Sequence, residues 1–296
     1  MRRIWIVGVV GSSLALAACG ATASITQALN SLGSSPYLQV HLTMSASGQG
    51  SARAQQILNA LSLDMKYSST SGSALAQSAG SVNTEVDVLT GTTSLLELRV
   101  VDGNVYVMAN VAAFASIPTV TIPASSLAAA NLLLGGRWFE FPKGLINSYV
   151  TTTTISASQA QKEQAIARAV IDALSTLLDK APYTTLPGGG YTETGTLTSI
   201  VTAVLPSLSG LQGLAGKTVT PTNVKGTYTI SLSMSGGTAT GGSIRITAPN
   251  GTSGNASVGL DATVTHDTHA VDAPAGATVI TKSLLQQMLG AVAQQG

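Results

Sequence analysis

Apolar and polar positions alternate singly at both ends of this chain and follow a helical period in its middle. In PYLQVHLTMS, Leu38, Val40, Leu42 and Met44 alternate with Gln39, His41, Thr43 and Ser45. Period two sends successive side chains to opposite faces, so the stretch predicts a strand with one buried face. Residues 51–61 predict a small helix. Leu63, Met65 and Tyr67 mark a second strand, and Val82, Thr84, Val86 and Val88 a third. LELRVVDGNVYVMA predicts a hairpin, because Asp102-Gly103 suits a two-residue turn of positive φ. That turn sets Val101 opposite Asn104, Val100 opposite Val105, Arg99 opposite Tyr106 and Leu98 opposite Val107. One face then carries Leu96, Leu98, Val100, Val105, Val107 and Ala109. A slip by one residue would mix the two faces, so the pattern fixes the register.

The middle of the chain changes period. Pro123 to Leu134 predicts a helix with Pro in its first turn and Gly135-Gly136 at its end. Residues 137–142, RWFEFP, predict a short aromatic strand whose rings form core or a binding lip. The longest helix is expected from Ser158 to Lys180. Ser158 and Gln161 resemble a capping box, and Ile166, Val170, Ala173, Leu174 and Leu177 make one stripe. Pro182 ends it, residues 183–195 form a loop with a flexible turn at Gly188 to Gly190, and 196–214 form a helix interrupted at Pro206. Alternation resumes with Tyr228, Ile230, Leu232 and Met234, then Ile244 and Ile246, then Val258, Leu260, Ala262 and Val264. Thr281 to Gln295 predicts a final amphipathic helix. Neither set of strands carries enough cover for its own apolar face, so residues 34–296 are expected to form one α+β domain in which the helices cover the sheet.

The amino terminus changes the picture of where this domain works. MRRIWIVGVVGSSLALAACG has a basic start, an apolar run too short for a comfortable span, and small residues ending at Cys19. Cys19 is the single cysteine of 296 residues. The segment Leu16-Ala17-Ala18-Cys19 resembles the lipobox of bacterial lipoproteins. The resemblance implies a signal peptide over residues 1–18, diacylglycerol on the Cys19 sulfur, and a palmitate-type acyl chain on the new amino terminus. Residues 19–33 would then be a lipidated tether that includes a short helix from Ser24 to Leu32. The implied location is the outer face of the cytoplasmic membrane or the cell envelope, since two or three acyl chains anchor stably where one does not. Arg2-Arg3 lacks the neighbours of a twin-arginine signal, which favours the general export route.

Charge narrows the partners. Without Arg2 and Arg3 the chain has 12 Lys+Arg against 13 Asp+Glu, a formal charge of −1. No basic stripe remains to neutralise phosphates, which argues against nucleic acid. Hydrophobic residues make up 44% and mean hydropathy is +0.33, so a folded core is expected rather than disorder.

The lipobox, LRVVDGNVYVMAN, the following RWFEFP, the helical middle, and GTYTISLSM leading to VGLDATVTHDTHAVDAPAGA together resemble the LppX/LprG family of actinobacterial lipoproteins, and more distantly the LolA-like carriers. The resemblance implies a curved antiparallel β half-barrel with helices packed on its concave face and the acyl chains of a lipid between them. The candidate lining is Leu98, Val100, Val105, Val107, Tyr228, Ile230 and Leu232 from the sheet, with Ile166 and Val170 from the long helix. The helical insert at 51–61, the Ser/Thr/Ala-rich loops and the low charge depart from the family pattern.

Catalytic motifs are not found. The sequence has no G-x-S-x-G elbow, P-loop or G-x-G-x-x-G. His41 is expected to be solvated on the polar side of its strand. His266 and His269 are three apart and no cysteine or histidine cluster adds ligands, so neither a metal nor a cofactor is expected. Glu85 and Asp87 share a strand face as solvated carboxylates. Two functions remain. One is a monomeric, membrane-anchored carrier of a lipid or glycolipid, not an enzyme. The other is a structural or interaction lipoprotein whose core is filled by its own side chains.

Overall fold

The computed structural model describes residues 27–28, 30–48, 52–78, 81–117, 121–150, 183–187, 189–208, 224–249, 254–266 and 269–293. The expected signal peptide, Cys19, and the helix expected from Ser158 to Lys180 with Ile166 and Val170 lie outside them.

The first strands are β1 (Tyr37–Ser47), β2 (Leu61–Ser69), β3 (Val82–Thr90), β4 (Thr93–Val101) and β5 (Asn104–Ala109), with helix α1 (Ala52–Ala60) before β2. Helix α2 (Ala124–Leu134), strand β6 (Trp138–Phe141) and helix α3 (Lys143–Val150) follow. The later elements are β7 (Thr184–Thr185), β8 (Gly190–Thr196), α4 (Leu197–Leu208), β9 (Thr227–Ser235), β10 (Thr238–Pro249), β11 (Asn255–Thr265), β12 (Thr278–Val279) and α5 (Lys282–Ala293).

The twelve strands of the described residues form one curved, open sheet in the order β12-β6-β5-β4-β3-β2-β1-β11-β10-β9-β8-β7. The β12–β6 pair is parallel and the others antiparallel. β1 joins the early strands to the late ones, pairing with β2 on one side and with β11 along nine positions on the other. The β4–β5 hairpin has the register that its sequence predicts, with Val100 opposite Val105 and Leu98 opposite Val107. Asp102 at φ 51° and Gly103 at φ 83° supply the two positive-φ turn residues.

Several elements differ from the sequence reading. The expected 183–195 loop contains β7 and most of β8, which pairs with β9 along seven positions. Helix α4 runs through Pro206 to Leu208 instead of breaking there. Helix α3 and the short 3-10 turn Val111–Ser116 have no counterpart in the apolar pattern.

Among the described residues, two buried clusters stand out. Leu95, Ala113 and Ile117 pack with Ile57, Leu61, Val88 and Phe114 at one end of the strands. Leu95 stands opposite no residue, because the β3–β4 register shifts between Val88 and Leu89. The bulge turns it toward Val88, which explains why an extra leucine breaks the alternation there. The second cluster joins Val101, Tyr106 and Val271 with Trp138 and Ala277 on the opposite face. The segment around Val271 crosses that face as a strap. Its Val271 N–H donates to Ser68 Oγ at 2.9 Å, Asn83 Nδ2 donates to the Val271 carbonyl at 3.0 Å, and Arg99 donates to the Asp272 carbonyl at 3.1 Å.

Candidate ligand-binding site

The pairing registers show which side chains share a face. One row runs Phe139, Val107, Leu98, Val86, Met65, Val40, Val264. The next runs Ala109, Leu96, Val88, Leu63, Leu42, Ala262, Gly242, Leu232, Tyr191. A third runs Met44, Leu260, Ile244, Ile230, Glu193, and a fourth Ala46, Val258, Ile246, Tyr228, Gly195. The expected lining residues Leu98, Val100, Val105 and Val107 therefore lie on the same face as Tyr228, Ile230 and Leu232. This face is apolar from β6 to β9.

Its cover is uneven. At the β5–β6 end, Val107, Ala109, Phe139 and Phe141 enclose an apolar cavity of about 130 Å³ with Leu134 of α2 and Ile280. Phe139 and Phe141 thus line a cavity, while Trp138 points the other way, under Arg99, whose guanidinium carbon is 5.0 Å from the ring centroid. Leu98, Val100, Val105, Ile230 and Leu232 are half-buried. On β10 and β11, Ile244, Ile246, Val258 and Leu260 are between 37% and 53% exposed. Their cross-strand pairing makes them one contiguous patch, and contiguous apolar surface marks a place where something binds more often than scattered residues do.

Glu193 interrupts this face, and the sequence reading missed it. It is 2% exposed, stands opposite Ile230, and accepts a hydrogen bond from the Tyr228 hydroxyl through Oε1. Its Oε2 is buried with no hydrogen-bond partner. Burial pushes the Glu193 carboxyl above the usual range, and the Tyr228 hydrogen bond offsets only part of that. Burial, then the Glu193 carboxylate, pushes the Tyr228 hydroxyl up to about 12. Tyr228 is thus less a free lining residue than one half of a buried pair. Its ring crosses β8 where Gly195 leaves room, since a Cβ there would lie 2.5 Å from the ring.

The opposite face carries ion pairs beside the Val101–Tyr106–Val271 cluster. Glu85 bridges Lys66 Nζ at 2.9 Å and Arg99 Nε at 3.0 Å, and Arg99 also reaches Glu97 at 2.6 Å. Glu85 is therefore a buried structural partner rather than a solvated carboxylate. Asp87 accepts from Ser94 at 2.5 Å, yet burial holds its carboxyl above the usual range, as it does that of Glu97. His41, expected to be solvated, has its Nδ1 2.5 Å from Asp64 Oδ1. Among the described residues no group of three His, Cys, Asp or Glu is placed to hold a metal ion.

A larger cavity, of about 290 Å³, lies at the end of the apolar face. Gln27, Thr185, Gly189, Gly190, Tyr191, Met234, Gly236 and Gly237 line it. Tyr191 belongs to the second apolar row, so the cavity begins where that row ends. Comparison with protein-family models and with curated proteins finds no match for this chain.

Proposed function

We propose that this chain is a lipoprotein, similar to the LppX/LprG family, that binds and carries a lipid or glycolipid on the apolar face of its sheet. On this reading that face is the concave side of a half-barrel, helices cover it, and lipidated Cys19 holds the monomer on the outer face of the cytoplasmic membrane or cell envelope. The observation that carries the reading is the unbroken apolar surface from Phe139 to Ile230, part of which stays exposed. Acyl chains match such a lining and need few polar groups. The single carboxyl among these rows is pushed toward its neutral form, which keeps the surface suited to an uncharged chain. Leu98, Val100, Val105, Val107, Ile230 and Leu232 remain the proposed lining.

One observation favours the alternative of a structural lipoprotein with a filled core. The apolar cavity at Val107 is about 130 Å³, well below the roughly 300–1,000 Å³ of ordinary ligand sites. Val107→Trp separates the two. The cavity gives a larger side chain room, so a carrier should lose co-purified lipid while its Tm changes little. A filled core would be overpacked, at a cost of typically about 1–3 kcal/mol. A clear fall in Tm, with no lipid on the wild type, supports the structural reading instead.

The anchor is tested separately. Cys19→Ala should release the protein from the membrane fraction and remove the acyl mass. Equal masses and equal solubility for the two forms would show that Cys19 is not lipidated.

A further inference from the structure

The 290 Å³ cavity differs in chemistry from the rest of the apolar face. Tyr191 forms one wall, and Tyr183 meets it edge-on, with ring centroids 6.3 Å apart and planes at 76°. That contact holds the Tyr191 ring in one orientation. Around it stand Gln27, Thr185 and Met234, residues that carry an amide, a hydroxyl and a thioether, with two glycine pairs completing the wall. Among the described residues, no charged side chain lines it. An anion would want an arginine or lysine, and a cation a carboxylate. An oriented aromatic ring beside an amide and a hydroxyl suits a neutral, hydroxyl-rich ring, which stacks its C–H face on tyrosine and exchanges hydrogen bonds at its rim. The volume sits at the low end of small-molecule sites, roughly 300–1,000 Å³, and admits a single sugar unit rather than a long glycan.

We propose that this cavity is a binding site for a neutral sugar. Its position gives the sugar a source. Tyr191 ends the apolar row that continues through Leu232 and Gly242, so an acyl chain on that row would place its head group in the cavity. Gln27 is eight residues from Cys19 in the sequence, a reach of at most about 29 Å for extended chain. A lipid-anchored molecule would therefore hold this cavity close to the membrane surface. The link to a glycolipid rests on the lipid-carrier reading, whereas the sugar site itself does not.

The test uses the full-length protein in phosphatidylcholine nanodiscs. Saturation-transfer NMR measures binding of methyl α-glucoside, methyl α-mannoside and methyl β-galactoside. A second arm measures uptake of monoglucosyl and monogalactosyl diacylglycerol from phosphatidylcholine vesicles, with plain diacylglycerol beside them. Tyr191→Ala should weaken binding at least tenfold, and Tyr191→Phe should retain it. Thr185→Trp fills the cavity from an exposed two-residue edge strand, where folding should be unaffected, and should abolish binding. Binding of free glycosides with this pattern supports a sugar site. Binding confined to the glycosyl lipids with the same pattern supports the site and identifies a lipid head group as its ligand. Absence of both kinds of binding in the wild type, or binding that ignores these substitutions, overturns the proposal. Uptake of plain diacylglycerol is read independently. If it persists when the sugar proposal fails, the carrier reading stands alone; if it is absent while free sugars bind, the sugar site stands and the carrier reading falls.

Discussion

Glu193 is the residue most at odds with its surroundings. A carboxyl with an unpartnered oxygen costs about 1–3 kcal/mol when buried, more if ionised. The fold lowers that cost by favouring the neutral form. The sign for stability follows. A carboxyl whose folded pKa is raised contributes most below its unfolded value, near 4.3, and that contribution is lost as pH rises through the folded pKa. Asp87 and Glu97, also raised, act in the same direction. Thermal unfolding followed from pH 4 to pH 8 should show this decline, and Glu193→Gln should flatten part of it. An unchanged pH slope in Glu193→Gln would contradict the assignment. Sequence alone hid this residue. The usual mark of a strand is an aliphatic residue at every second position, and YTETGT puts Tyr191, Glu193 and Gly195 there instead. The signal that was present is the run Thr192, Thr194, Thr196, a β-favouring alternation on the other face.

At the scale of elements, the local pattern predicted most where the pairing partner is close in sequence. The β4–β5 hairpin is the clearest case, because one turn sets its register and both faces follow. Gly103 at φ 83° should therefore not tolerate a side chain. Gly103→Ala is expected to cost about 1–2 kcal/mol, measured as a shift of the denaturant midpoint, because an L-residue pays for the left-handed conformation. The new Cβ would also approach Lys143 Cδ to 2.9 Å, a contact that a flexible lysine can relieve. A variant as stable as wild type would mean that the turn does not set the register. β7, β8 and β12 were not visible in the pattern, since β7 and β12 are two residues long and β8 carries Tyr191, Glu193 and Gly195 where alternation expects aliphatic residues. The β3–β4 bulge was equally invisible: an extra Leu95 reads as noise in the alternation until its partner strand is known.

Across the whole molecule, β1 holds the two sets of strands together, and the Val271 strap returns from beyond β11 to cover Val101 and Tyr106. Apolar alternation on both sides of the helical middle anticipated a shared sheet, but not the strand order, which depends on contacts some two hundred residues apart. Of the candidate site, Leu98, Val100, Val105, Val107, Ile230 and Leu232 were legible because alternation assigns a face. Alternation does not say how far the cover stands from that face, and the choice between carrier and filled core rests on that distance. Leu134 and Ile280 show why: both cover the face from outside the sheet and share no period with it. Native mass spectrometry of the full-length protein, extracted gently in a detergent unlike its membrane lipids, tests this most directly. A carrier should show a non-covalent adduct of lipid mass, lost on organic extraction, in addition to the covalent acyl mass at Cys19. Protein carrying the covalent mass alone, before and after incubation with lipid vesicles, would contradict it.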